Sequence, residues 1–122
     1  AASDVYKRQV KVYKSFFATV VSGILANFLV CLAVWLAASG KTTVEKLAGL
    51  SLPVAAFVAL GLEHSVANMF LMPYAYLVSD TSSAITGHAV IANVTASTIG
   101  NLLGGGGLAL AYASIAEKDV QK

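Results

Sequence analysis

Hydrophobic and polar positions along the chain sort into three long apolar tracts divided by two short polar stretches. Residues 15–40 contain no Asp, Glu, Lys or Arg, and the apolar run 16–38 is 23 residues long. At about 1.5 Å per residue, a helix of that length crosses a hydrocarbon core of roughly 30 Å. A second apolar tract, 47–79, is interrupted by Pro53, by Glu63 and His64, and by Pro73. A third, 84–116, again lacks Asp, Glu, Lys and Arg, with its helical core expected at 92–116. The pattern predicts three crossings, at about 16–38, 53–78 and 92–116, the middle one broken. The first is too long for a cleaved signal peptide, and no small-residue cleavage pattern follows it. No polar repeat occurs.

Composition agrees with this division. Of 122 residues, 57% are apolar and 11% charged, against about 25% charged in a soluble domain. Disorder is excluded, because disordered chains are polar and charged. A net charge of +2 gives no reason to expect nucleic-acid binding. The single cysteine, Cys31, excludes an internal disulfide. The fold class that remains is an all-α membrane protein.

Lys and Arg set the expected orientation. Lys41, Lys46, Lys118 and Lys122 lie at one end of the crossings, and Lys7, Arg8, Lys11 and Lys14 at the other. The segment 4–9 (DVYKRQ) resembles the translation of a transposon-end adaptor, so residues 1–9 are expected to be a cloning-type scar joined mid-gene. Removing Lys7 and Arg8 leaves the majority with Lys41–Lys46, and puts that loop and the C-terminus in the cytoplasm. On the other reading, 1–9 is a genuine basic juxtamembrane segment.

The middle tract carries the chemistry. Glu63 and His64 sit near its centre, with Asn68 one helical turn beyond His64. A charge at that depth costs at least about 2.5–3.5 kcal/mol and is kept where it faces a cavity or a partner. Non-helical backbone survives there only when buried in protein or lining water, and a broken helix near the midplane points to a substrate site. The break is expected between Phe57 and Glu63, with a second half-helix starting near His64, whose N-terminal N–H groups favour anions. The plain alternative is a kinked helix with the two prolines at its ends. In the third tract, Asn93, Ser97, Gly100, Gly104, Gly107 and Ala111 are spaced 4, 3, 4, 3 and 4 apart and form one small-residue stripe suited to close helix packing. Asn101 lies off that stripe and could face a pore, as could Asn27 in the first crossing; for Asn27 the alternative is an interhelical hydrogen bond.

Other signals fail. Gly40-Lys41-Thr42 lacks the glycine a phosphate loop needs five residues earlier, where Trp35 stands. The four glycines 104–107 lie inside an apolar helix and are no dinucleotide fingerprint. Asn93-Val94-Thr95 is a glycosylation sequon by spelling only. No metal-ligand spacing, nucleophile–base pair or cofactor motif suggests an enzyme.

Three segments in order, GILANFLVCLAVWLA (23–37), GLEHSVANMFLMP (61–73) and TIGNLLGGG (98–106), resemble the formate/nitrite transporter family. The resemblance implies an aquaporin-like helical bundle of six crossings in two inverted repeats, assembled as a homopentamer with a pore in each protomer. Residues 10–122 are similar to the second repeat, crossings four to six, whose middle crossing is broken in the family. It implies that His64 is the central pore histidine, that Glu63 pairs with Lys11, that Phe57 is a constriction residue, and that Asn27 and Asn101 lie near the pathway. The first three crossings, with the other half of each constriction, are missing, so the fragment is not expected to form a pore alone. The implied substrates are small monovalent weak-acid anions, formate or nitrite, in a bacterial inner membrane. Hydrosulfide or lactate remain alternative cargoes, and a non-transporting membrane subunit an alternative role.

Overall fold

The computed structural model of the chain describes residues 14–78 and 85–120. The expected scar at 1–9 and Lys11 lie outside the described residues, as does the polar loop 79–83. Among the described residues four helices follow in order, α1 (Phe16–Ser39), α2 (Thr43–Ala59), α3 (Ser65–Val78) and α4 (Gly87–Val120).

The first crossing forms as expected. Ser15 caps α1, its hydroxyl accepting from the Ala18 N–H at 3.2 Å, and Gly40 ends it with its N–H on the Ala37 carbonyl at 3.2 Å. The 24 residues between are long and apolar enough to cross a membrane. α4 meets the same criterion over Gly87–Ile115. It begins five residues before the expected 92, because Thr86 caps it by accepting from the Ala89 N–H at 3.2 Å.

The middle crossing is two half-helices, as expected, but its first half starts ten residues before Pro53. Thr42 and Glu45 form a capping box: the Glu45 N–H donates to the Thr42 hydroxyl at 3.2 Å, and the Glu45 carboxylate accepts from the backbone N–H groups of Lys41 (2.7 Å) and Thr42 (3.3 Å). Both prolines lie inside helices rather than at their ends. Proline costs an interior helix one backbone hydrogen bond and a clash with the preceding turn, which these segments absorb. The interruption itself falls at 60–64. Gly61 takes φ +61°, a left-handed conformation that stops α2 and that few other residues tolerate.

α1 packs against both α2 and α4, and α3 packs against α4. The backbones approach closely where glycine allows it. A Cβ on Gly100 would strike the Val20 carbonyl oxygen, and one on Gly104 would lie 2.5 Å from that of Ile24. The small-residue stripe of α4 is therefore a packing surface through Gly104. It does not extend to Gly107, where a Cβ would meet nothing within 4 Å. Gly105, off the stripe, faces the side-chain amide of Asn27 instead.

The distribution of side chains is inverted relative to a water-soluble domain. The buried set is mostly small or polar: Ala26, Ala33, Ala75 and Ala96 lie among Thr19, Ser22, Glu63, Ser65, Asn68, Asn93, Ser97 and Asn101, with Met72 and Ile85 the large apolar exceptions. Large apolar side chains such as Phe17, Leu25, Leu52, Phe70, Leu77 and Leu102 point outward. Such a chain suits apolar surroundings, where helices adhere by close backbone contact and internal hydrogen bonds rather than by expelling water.

Candidate functional site

The interruption between α2 and α3 is the chemically richest part of the molecule, and its geometry follows from unsatisfied backbone groups. The Gly61 N–H reaches back to the Val58 carbonyl at 3.1 Å and the Leu62 N–H to that of Phe57 at 3.2 Å, closing the end of α2. Beyond this point the backbone has no helical partners, and side chains of α1 and α4 supply them. The Glu63 N–H donates to the Ser22 hydroxyl at 3.1 Å. The Glu63 carbonyl accepts from Asn101 Nδ2 at 3.0 Å, and the Ser65 N–H donates to Asn101 Oδ1 at 3.0 Å. α3 then starts with the Asn68 N–H on the His64 carbonyl at 2.8 Å.

Glu63 is wholly buried. One carboxylate oxygen lies 3.5 Å from the Lys14 ammonium, and the other accepts from Asn68 Nδ2 at 2.6 Å. Lys14 also donates to the Ser22 hydroxyl at 3.2 Å. Asn68, wholly buried too, passes the network on by donating to Asn93 Oδ1 at 2.9 Å. Glu63, Asn68 and Lys14 thus link α1, the interruption and α3, and Asn93 brings in α4. A buried carboxylate needs such compensation, because a lone charge in a low-dielectric interior costs several kcal/mol. Beside the network, a cleft of about 70 Å³ is lined in part by Lys14, Phe16, Thr19 and Asn93.

His64 differs from its neighbours on both sides. Glu63 and Ser65 are buried, whereas His64 stays partly exposed. Its ring lies over Phe57, also partly exposed, with centroids 5.8 Å apart and planes inclined at 39°. The interruption therefore presents an imidazole and a phenyl ring together at an open face.

Sequence reasoning brought together His64, Phe57, Glu63 and Asn68, and the structure joins all four. It sets Lys14 against Glu63; the Lys11 expected from the family pattern lies outside the described residues. Asn27 makes an interhelical hydrogen bond, donating to the Asn101 backbone carbonyl at 2.5 Å. Asn101 is buried, and protein groups occupy its amide completely: Oδ1 accepts from the Ser65 N–H and hydroxyl, and Nδ2 donates to the carbonyls of Gly23 and Glu63. Ser22 and Ser65 were not singled out from the sequence. A serine in an apolar helix carries no local signal of what it binds across the bundle. Among the described residues no group of three or more His, Cys, Asp or Glu side chains is placed to hold a metal ion.

Comparison with known proteins extends these observations. The formate/nitrite transporter family profile matches residues 3–115. The formate channel FocA of Escherichia coli (strain K12) is 41% identical, in an alignment covering 79% of this chain and 39% of that protein. The formate channel BtFdhC of Bacillus thuringiensis is 36% identical, covering 80% of this chain and 36% of that protein. Among solved structures, a pentameric formate channel with formate bound matches with a TM-score of 0.82 and 30% identity, over 93% of this chain and 51% of that one. The chain thus spans well under half the length of the curated relatives it matches.

Proposed function

The chain belongs to the formate/nitrite transporter family, and from that premise we propose that it forms one half of a membrane channel for small monovalent weak-acid anions, formate foremost and nitrite beside it. Residues 10–122 act as the second inverted repeat, completed by a first repeat and assembled in the bilayer as a homopentamer. The orientation has the loop holding Lys41 and Lys46, and the C-terminus, on the cytoplasmic side of a bacterial inner membrane. Engagement of Lys14 with Glu63 supports this, because that cation serves an internal ion pair rather than a membrane surface.

One observation carries the reading: His64 is the partly exposed residue between two buried ones, at a helix interruption, beside Phe57. An anion entering an apolar constriction loses hydration worth tens of kcal/mol in the Born limit. A neutral acid avoids most of that. An imidazolium at His64 can hydrogen-bond the anion, pass it a proton and take one back from water afterwards. The phenyl ring of Phe57 narrows the path at that point and keeps bulk water out. Glu63 and its partners hold the interruption and leave the anion no competing carboxylate, since both oxygens of Glu63 are engaged inside the protein.

The test is a chimera in which this chain replaces the matching part of E. coli FocA, reconstituted in liposomes. Formate uptake is followed across pH, with and without His64→Ala. The chimera is expected to conduct formate, and the variant to lose the pH dependence. Unchanged, pH-independent flux in the variant refutes the role of His64. Faster passage of hydrosulfide or lactate than of formate reassigns the cargo.

A further inference from the structure

Asn101 stands where a substrate contact is expected, yet none of its hydrogen-bonding capacity is free. An asparagine amide has two donors and an oxygen with two lone pairs. Nδ2 donates to the Gly23 carbonyl at 2.9 Å and the Glu63 carbonyl at 3.0 Å, and Oδ1 accepts from the Ser65 N–H and hydroxyl, both at 3.0 Å. The orientation of the amide is fixed by chemistry, because reversing it would set an oxygen against two carbonyls. The residues gripped are the ones immediately before and after His64.

We infer that Asn101 is a positioning residue for His64: its side chain clamps the peptide units flanking the imidazole-bearing residue and ties them to α1 through Gly23, without touching the anion. Three further observations fit. The Asn101 backbone carbonyl is itself held by Asn27, so the clamp is anchored on its own main chain. Gly23 leaves the amide its room, since a Cβ there would come within 3.1 Å of Asn101 Nδ2 and 3.0 Å of the Ser97 carbonyl oxygen. The first N–H of α3 is also committed to Asn101, which removes Ser65 from the backbone donors available to an anion and makes the side chain of His64 the group that meets it.

The inference rests on the reading of His64 proposed above, and its test separates the two. In the chimera, Asn101→Ala, Ser65→Ala and His64→Ala are compared by maximal formate flux, half-saturating formate concentration and the pH midpoint of flux. A misplacement of about 1 Å at a reacting group can cost on the order of a hundredfold. Asn101→Ala is therefore expected to lower maximal flux by at least about tenfold and to displace the pH midpoint, leaving half-saturation unchanged. Ser65→Ala removes one of the four bonds and keeps the other three, so it folds and shifts the midpoint the same way by less. Should Asn101→Ala fail to assemble, Ser65→Ala decides. A several-fold rise in half-saturating formate with an unmoved pH midpoint overturns the inference, because that is the signature of a direct anion contact. So does a normal pH midpoint in Ser65→Ala when the other variant is lost. If His64→Ala itself leaves the pH profile intact, both readings fall; if it abolishes the profile while Asn101→Ala and Ser65→Ala leave the midpoint in place, only the clamp falls.

Discussion

Replacing Lys14 with methionine isolates the energetic demand of the buried carboxylate. Methionine keeps the length and most of the volume of the side chain, so the change removes charge with little change in packing. The Lys14 ammonium and Glu63 carboxylate are 3.5 Å apart. At an effective dielectric constant near 20, Coulomb attraction over that distance is about 5 kcal/mol. The lysine side chain is 32% exposed whereas the glutamate is fully buried. Water screens one partner, and the net loss is expected to be about 2–3 kcal/mol, below the roughly 3–5 kcal/mol seen when a fully buried pair is broken. Changing Glu63 to glutamine at the same time removes the charge that lost the Lys14 ammonium, while its amide oxygen still accepts from Asn68. The double variant should therefore recover most of the loss. Denaturant unfolding of the chimera in detergent, for both single variants and the double, gives the coupling energy directly. A coupling below about 0.5 kcal/mol, the level at which independent sites add, would refute the claim that Lys14 compensates Glu63.

Two further outcomes are expected. Gly100→Ala drives a methyl group into the Val20 carbonyl, so α1 and α4 must separate; a loss of about 1–3 kcal/mol is expected for such overpacking, seen as earlier unfolding of the chimera, whereas Gly107→Ala, with open space beside it, should be neutral or slightly stabilising. At the start of α2, hydrogen bonds from the Lys41 N–H, and secondarily the Thr42 N–H, to the charged carboxylate of Glu45 hold its pKa below the usual value. A lowered folded-state pKa stabilises the fold fully above the unfolded-state value and loses that contribution as pH falls through the folded one. The thermal midpoint should accordingly drop between weakly and strongly acidic pH in the parent, and Glu45→Gln should flatten that part of the profile; an identical acid limb in both would remove the capping box as its cause.

Much of the fold was legible in the chain because lipid imposes a simple rule on composition. Residues 16–38 could be little other than a crossing, and an acid beside a histidine in the centre of an apolar tract had to be compensated. The interruption was legible from Gly61 and from the polar pair after it. The start of α2 was missed although Thr42 and Glu45 spell a capping box, because Pro53 drew attention as a boundary. The partners of Glu63 were only half legible. Asn68 lies a turn beyond His64 and was found, whereas Lys14 stands 49 residues from Glu63 in the chain and no local pattern records its contact. The clamp on His64 was not legible at all. Asn101 reaches Ser65 and Gly23 across 36 and 78 residues of chain, and no periodicity within one helix records such a contact.

The bonding of the interruption also constrains how the protein can be made. α3 has 14 residues, about 21 Å as a helix, too short to cross a bilayer unaided, so α2 and α3 must enter the membrane as a single insertion unit. When they emerge from the ribosome, α1 is already available to offer Ser22 and Lys14, but Asn101 has yet to be translated. During that interval the peptide groups around His64 lack their final partners and must borrow water or the translocation machinery. Biogenesis thus passes through an intermediate that matures only when the last helix arrives, and a ribosome stalled before residue 101 should leave the nascent chain open to proteolysis at 60–64.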